Sequence, residues 1–284
     1  MRRNCCSPCV GLQPEWENDV CLEGLALKVG PLGEHDRLLS LLSDAEGVTR
    51  LAVPGARRPK SSLAATAPLT LMELQVGGRS GLARVRQLRV LRSFSRLGQR
   101  LETLSAAQAF CELCLQIAAD DPVEGLLSTL LLHLERLELH GDDADLVLAG
   151  AVQACIHLLT LGGYGLPLQS CCLSGVPLEP PLGQWSWRCS LLPEDGFAID
   201  SQPGAAMTLN PSELALLQRL TRPDLPRRRD GGLMGPQTVW LRLLGLIDLW
   251  MRARLNRRSR ALTMLKQSVT MPDLGHHGRN ATNR

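Results

Sequence analysis

The sequence predicts an α+β protein of more than one domain, with a small closed β-sheet first and a helical domain after it. Five short apolar or alternating stretches follow one another between Leu22 and Arg92, with no long helical period among them. From Leu97 onward the apolar residues recur at helical spacing. The charge changes at the same place. Residues 50–100 hold eleven basic residues and one acid, Glu73, whereas residues 101–150 hold ten acids and the single base Arg136.

In Leu22–Gly30, Leu25, Leu27 and Val29 alternate with Gly24, Ala26 and Lys28, and Gly30-Pro31 ends the run. Arg37–Ser43 is short, apolar and bounded by Gly33 and Gly47, and fits a buried strand or a helical turn equally. Gly47–Pro54 and Leu69–Val76 are the third and fourth strands, closed by Pro54-Gly55 and Gly77-Gly78. Leu82–Arg92 is the fifth, with a phase slip. Ala83 and Val85 share one parity, Leu88 and Val90 the other, so one bulge near Arg86-Gln87 restores the register. Five such strands suggest an OB-type barrel.

Helices are expected over Leu101–Ile117, Leu126–Leu139 and Leu146–Leu161, the last two separated by Gly141-Asp142-Asp143. Gly162-Gly163 stops the third, and residues 165–206 are rich in Gly, Pro, Cys and Trp. Asn210-Pro211-Ser212-Glu213 starts another helix, with Asn210 as N-cap and Glu213 three residues on. A final long helix is expected from Pro236 to Lys266. The domain reading is residues 1–20 as an N-terminal extension, 21–95 as the barrel, 96–268 as the helical domain with the 165–206 insert, and 269–284 as a frayed tail.

Composition narrows the function classes. Hydrophobic content of 44% and charged content of 21% suit a soluble globular chain, and the start carries no apolar run of the kind an export signal needs. No stretch reaches eighteen uninterrupted apolar residues, so no membrane span is expected. The ten cysteines are irregularly spaced and are read as reduced thiols in a cytoplasmic protein. Aromatics make up 3%, too few for broad base-stacking platforms, so contact with nucleic acid must rest mainly on charge. The formal net charge of +3 conceals that charge, because a third block, residues 222–260, again sets ten Arg against three Asp.

The segment LALKVGPLGEHDRLLSLLSDAEGVTRLAVPGARRPKSS, with Leu159–Gly165, Cys171, Gly175 and the Arg258-Ser259-Arg260-Ala261-Leu262 run, resembles the RecO family, bacterial recombination mediators of DNA repair. The resemblance spans about Leu22 to Leu265. It implies an N-terminal OB-fold and a central helical domain, often with a zinc-ribbon-like insert. It further implies binding of single- and double-stranded DNA, annealing of complementary strands, contacts with RecR and the acidic C-terminal tail of single-stranded-DNA-binding protein (SSB), and help for RecA in replacing SSB. A nucleoid-associated place in the cytoplasm goes with that role.

The first candidate DNA contact is the loop Gly55–Ser61, which offers Arg57, Arg58 and Lys60 without a neighbouring acid. Arg84, Arg86, Arg89 and Arg92 form a second set, sharing one face of the fifth strand after one bulge, in a strip continuous with the loop. A solvated loop and a merely polar strand face are the other readings. Arg254, Arg257 and Arg258 fall at i, i+3 and i+4 of the expected last helix, to bind DNA, grip an acidic tail or pair with the acidic helices of residues 101–150.

For the insert, zinc-binding relatives carry two C-x2-C pairs. Here Cys171 and Cys189 hold the first and third positions while Ser174 and Leu192 hold the second and fourth. Two remnants and a neighbouring Cys172 are too few for a closed zinc site, so no metal and no other cofactor is expected. Packing of Trp185 and Trp187 is expected to hold the insert instead. Cys111 and Cys114 are read as helix core, and Cys5, Cys6 and Cys9 are left unassigned in the extension. Asp120, Asp121 and Glu124, like Asp142, Asp143 and Asp145, fall at helix junctions where Asp commonly caps. With no phosphate-binding loop and no nucleophile motif, catalysis is not expected. A sequence-reading regulator or a protein adaptor is the alternative.

Overall fold

The computed structural model describes residues 20–78, 82–119 and 121–270. The cysteines of the N-terminal extension and most of the expected C-terminal tail lie outside the described residues. The chain divides into two compact units, one of residues up to 96 with 111–134 and 161–163, the other of 97–110, 135–160 and 164 onward.

In the first unit β1 (Val20–Leu32), β2 (Asp36–Ser43), β3 (Gly47–Val53), β4 (Thr70–Gly77) and β5 (Arg84–Ser93) close into a barrel in the order β1-β2-β3-β5-β4. The second stretch, open to two readings from its sequence, is a strand. β1 runs through Pro31 rather than stopping there, because β4 pairs only with its first half, Val20–Leu25, and Pro31 needs only β2 as a neighbour. The chain turns instead at Gly33.

Closure depends on β1 serving both neighbours, with a register irregularity between Ala26 and Lys28 that bends it from β4 to β2. Gly24 sits just before the bend. A Cβ there would lie 2.3 Å from the carbonyl oxygen of Leu42, so only glycine admits this approach. Ala26, Leu39, Leu41, Leu51, Met72 and Leu74 fill the interior. β3 joins β5 in parallel through Ala52 and Arg84, with the Ala52 N–H donating to the Ala83 carbonyl at 2.8 Å.

The expected slip in β5 is present, with Arg86 the extra residue between Val85 and Gln87. A second irregularity follows, with Leu91 unpaired between Val90 and Arg92. One bulge was expected; two are needed, because Arg89 and Arg92 lie three residues apart and cannot share a face of a regular strand. Val90 is also 42% exposed, although its partner Met72 is buried.

The helices are α1 (Leu101–Ile117), α2 (Leu126–His140), α3 (Ala144–Leu161), α4 (Pro211–Arg219), α5 (Gln237–Leu255) and α6 (Arg260–Thr270). By length and composition α3 is apolar enough to cross a membrane despite Gln153 and His157, and 61% of it is buried inside the protein. Asp143 caps α3, its Oδ1 accepting from the N–H groups of Asp145 and Leu146 at 2.9 and 3.0 Å. The expected capping box opens α4. Asn210 Oδ1 accepts from the Glu213 N–H at 2.9 Å, and Glu213 Oε2 accepts from the Asn210 N–H at 3.0 Å.

Two expectations are corrected in the second unit. The single helix Pro236–Lys266 is broken: Asn256 adopts a left-handed conformation, φ 50°, that ends α5, and Ser259 Oγ accepts from the Leu262 N–H at 3.1 Å to start α6. The insert forms a sheet ordered β7-β6-β8 from β6 (Cys189–Leu192), β7 (Gly196–Ile199) and β8 (Met207–Leu209). Its buried side chains include Leu168, Cys171, Leu178, Cys189, Leu191 and Phe197, but not the two tryptophans. Trp185 is 72% exposed and Trp187 half-buried, because the indoles follow the Pro180–Gly183 turn region rather than a strand that would aim them inward.

Candidate nucleic-acid interface

The loop after β3 is ordered by its own hydrogen bonds. Gly55 donates its N–H to Asp36 Oδ1 at 2.8 Å, and Arg57 donates its N–H to the His35 carbonyl at 2.9 Å. Arg57 Nη1 donates to the Gly33 carbonyl at 3.1 Å, so this side chain leans on the β1–β2 turn while the residue stays exposed. Buried Ala56 and Leu63 pin the loop at both ends. Between them Arg57, Arg58 and Lys60 are all exposed.

The tip is a turn in which the Ser61 N–H donates to the Arg58 carbonyl at 3.3 Å. Pro59 stands at its second position and Lys60 at its third, with φ 62°. That is a type II turn, whose third position ordinarily takes glycine or asparagine. A lysine there has a left-handed backbone that costs about 1–2 kcal/mol. The residue is exposed on this backbone.

On β5 the two bulges place Arg84, Arg89 and Arg92 in register with Gly77, Glu73 and Leu71, the positions alternating with buried Met72, Leu74 and Val76. Arg86 stands at the first bulge, and all four arginines are exposed. Arg89 and Arg92 have partners the sequence did not disclose. Arg89 Nε lies 3.0 Å from Glu73 Oε2, and the Arg92 guanidinium stacks 4.5 Å from the centroid of Phe94. The cross-strand register was the signal for the first, since Glu73 and Arg89 are directly opposed. Arg84 adjoins the end of β3 through Ala52, whereas the loop's own contacts run to the β1–β2 turn.

The third basic set does not form one helical face. Arg254 lies on α5, but Arg257 and Arg258 fall in the break before α6. Arg254 stacks 4.5 Å from the Trp250 ring centroid and donates from Nη2 to the Glu194 carbonyl at 2.9 Å. Arg252 pairs with Asp248 of its own helix rather than with an acid of residues 101–150.

The remnant cysteines keep a metal-knuckle turn without a full ligand set. The Gly175 N–H donates to the Cys171 carbonyl and the Cys171 N–H to the Val176 carbonyl, each at 2.8 Å. The Cys171 sulfur accepts from the Ile199 N–H at 3.4 Å. Burial pushes this thiol up, but hydrogen bonds from the Ser174 hydroxyl and from the N–H groups of Ile199, Ser174 and Leu173 outweigh it and bring it down to about 7. Burial instead pushes Cys189 up to about 12, with the neighbouring Cys171 and Cys172 adding to the effect. With Ser174 and Leu192 in the other two places, the set does not fit a four-ligand zinc site. Cys111 and Cys114 are buried, and burial raises Cys111 to about 12, as core thiols behave.

The barrel order and its exposed cations define an OB-fold protein with a surface suited to polyanions. The chain belongs to the RecO family of DNA repair proteins. The family models for the recombination protein O N terminus and C terminus match residues 19–94 and 98–263. A protein of Parasynechococcus marenigrum named DNA repair protein RecO is 76% identical over 262 residues, covering 92% of this chain and 98% of its own length. One of the same name from Prochlorococcus marinus is 67% identical over 87% of this chain and 95% of its own. A more distant one from Gloeothece citriformis is 30% identical over 85% and 94%. A role in DNA repair and recombination goes with this membership.

Proposed function

We propose that the chain is a non-catalytic recombination mediator in the cytoplasm, associated with the nucleoid. It binds single- and double-stranded DNA through Arg57, Arg58 and Lys60 of the β3–β4 loop, with Arg84, Arg86, Arg89 and Arg92 of β5 as a second row. The observation that carries the reading is an exposed set of cations on an OB barrel whose basic stretch contains one acid, in a chain of the RecO family.

The mechanism is physical. Cations along the barrel release the counterions of two strands and screen the repulsion between their phosphates. The strands then reside near each other at raised local concentration until base pairing completes annealing. No bond is made or broken by the protein. RecR and the acidic C-terminal tail of SSB are the protein partners of this reading, and loading of RecA onto SSB-coated DNA is its outcome. The degenerate knuckle supplies no metal chemistry.

The test is binding to a labelled single strand over a salt series, with annealing of complementary strands measured alongside. An Arg57→Ala, Arg58→Ala, Lys60→Ala variant is expected to flatten the log–log salt slope by about 2, at about 0.7 per lost phosphate contact. Its annealing rate is expected to fall with it. Equal slopes for variant and wild type move the contact away from this loop. A wild type that binds no DNA makes the chain a protein adaptor.

A further inference from the structure

Arg219 to Gly235, the connection from α4 into α5, contains five Arg against Asp224 and Asp230. The second unit anchors the base of this connection firmly. His157 Nε2 donates to the Leu220 carbonyl at 2.9 Å, Gln153 Nε2 to the Arg222 carbonyl at 2.8 Å, and Arg136 Nη1 to the Pro223 carbonyl at 2.8 Å. Beyond that base the chain folds into a small hairpin. Met234 donates its N–H to the Pro226 carbonyl at 3.0 Å, Arg228 to Gly232 at 2.8 Å and Gly231 to Arg228 at 3.0 Å, with Arg227 bridged to Leu233.

The tip is built for Arg229-Asp230 at its centre. Gly231, with φ 85°, takes the left-handed place that follows such a turn in a hairpin. Asp230 Oδ1 accepts from the Gly232 N–H at 2.9 Å. The Arg228 guanidinium lies where a side chain on Gly232 would stand, a Cβ there falling 2.7 Å from Nη2. Arg227 Nη1 reaches back to the Gly231 carbonyl at 2.9 Å. Arg227, Arg228 and Arg229 thus stand exposed on a backbone held by its own hydrogen bonds. The nearby ion pair, Arg228 with Asp230 at 3.6 Å, is exposed and weak.

We infer that this hairpin tip is a phosphate-binding site for a nucleic-acid strand, separate from the barrel loop. The inference rests on the proposed DNA-binding role. Arginine forks suit phosphate oxygens, and a glycine-flanked tip lets a backbone approach closely. An acidic peptide is the rival ligand, but it would gain from apolar companions. Within the connection itself Leu220 is buried and Leu225, Leu233 and Met234 are half-buried, so the hairpin presents no exposed large apolar side chain of its own. With the barrel loop, the hairpin gives the chain two strand-holding sites, one in each unit.

The full chain is tested in two assays. One is anisotropy of a labelled single strand over a salt series. The other is capture of a labelled, non-complementary second strand by protein held on an immobilised first strand. Arg227→Ala, Arg228→Ala, Arg229→Ala is expected to flatten the salt slope by about 2 and to cut strand capture about tenfold or more. If that variant melts at a lower temperature, Arg229→Glu, a change confined to the exposed tip, repeats the test and is expected to cut capture likewise. Hairpin variants that match wild type in both assays, while the barrel-loop variant loses binding, overturn the inference and leave the proposed function standing. Hairpin variants that keep both activities but lose binding to polyglutamate assign the site to an acidic protein and also overturn it. A wild type that binds no DNA removes both readings together.

Discussion

Lys60 and Glu73 are the single residues of this barrel at which the proposed DNA contact meets a local cost in stability or charge. Lys60 holds a left-handed backbone, φ 62°, where a type II turn prefers glycine. Lys60→Gly is therefore expected to stabilise the barrel by about 1 kcal/mol while flattening the DNA salt slope by about 0.7. Thermal melting and the salt series read the two effects, and unchanged stability would show that the turn carries no strain. Glu73 neutralises Arg89 across the strand pair at 3.0 Å. Since that arginine is mostly exposed, the pair is worth under about 1 kcal/mol. Glu73→Gln is expected to raise single-strand affinity about two- to fivefold at low salt and to leave it unchanged at high salt. A fall in affinity would mean that Glu73 positions Arg89 rather than competing for it. The exposed basic loop of Arg57, Arg58 and Lys60 was legible in the sequence because no acid adjoins it. The turn strain and the pairing of Arg89 were not, since both depend on backbone angles and on strand register.

At the scale of elements, local periodicity named the five barrel strands and α1 to α4, but not β6, β7 and β8, which at three or four residues each are too short to show a period. Arg37–Ser43 carried no parity because the stretch is apolar on both faces, and pairing with β1 and β3 decides it as a strand. The last helix looked continuous because Asn256 sits among residues of acceptable helix propensity. Its left-handed geometry, together with Ser259 as a cap, turns one helix into two and separates Arg254 from Arg257 and Arg258. Asparagine followed by a capping serine was the available signal. Gly24 is the element-scale determinant of closure, since β1 passes so close to Leu42 that a methyl group has no room. Gly24→Ala is expected to lower unfolding free energy by roughly 2–4 kcal/mol, seen as an earlier urea midpoint. An unchanged midpoint would mean that β1 can bend away without losing the barrel.

At the scale of the whole molecule, the buried thiols tie stability to pH. Burial raises Cys111, Cys155 and Cys189 to about 12 from an ordinary value of 9.0. Folded, they stay protonated above pH 9 while the unfolded chain ionises. Their contribution is complete below pH 9 and is lost as pH climbs toward 12, at about 1.4 kcal/mol per unit for each thiol. Cys171, brought down to about 7, acts in the opposite sense and adds stability as pH rises from 7 to 9. Urea midpoints from pH 7 to pH 11 are expected to hold or rise slightly to pH 9 and then fall steeply. A profile that stays flat to pH 11 would show that the thiols ionise without unfolding the chain.

The sequence by itself determined the barrel-then-helix order, the family, the capping box at Asn210 and the basic loop. Each of these is written in residues close together along the chain, as period, cap, turn or charge run. Tertiary structure alone decided which cations remain available. Glu73 reaches Arg89 only because β4 lies beside β5, and Arg254 reaches the Glu194 carbonyl only because folding brings that distant backbone to α5. It also decided that Trp185 stands in solvent while Cys171 and Phe197 fill the insert. Charge and hydrophobicity are properties of a residue, whereas pairing and burial are properties of its neighbours, and folding brings most of those from far along the chain.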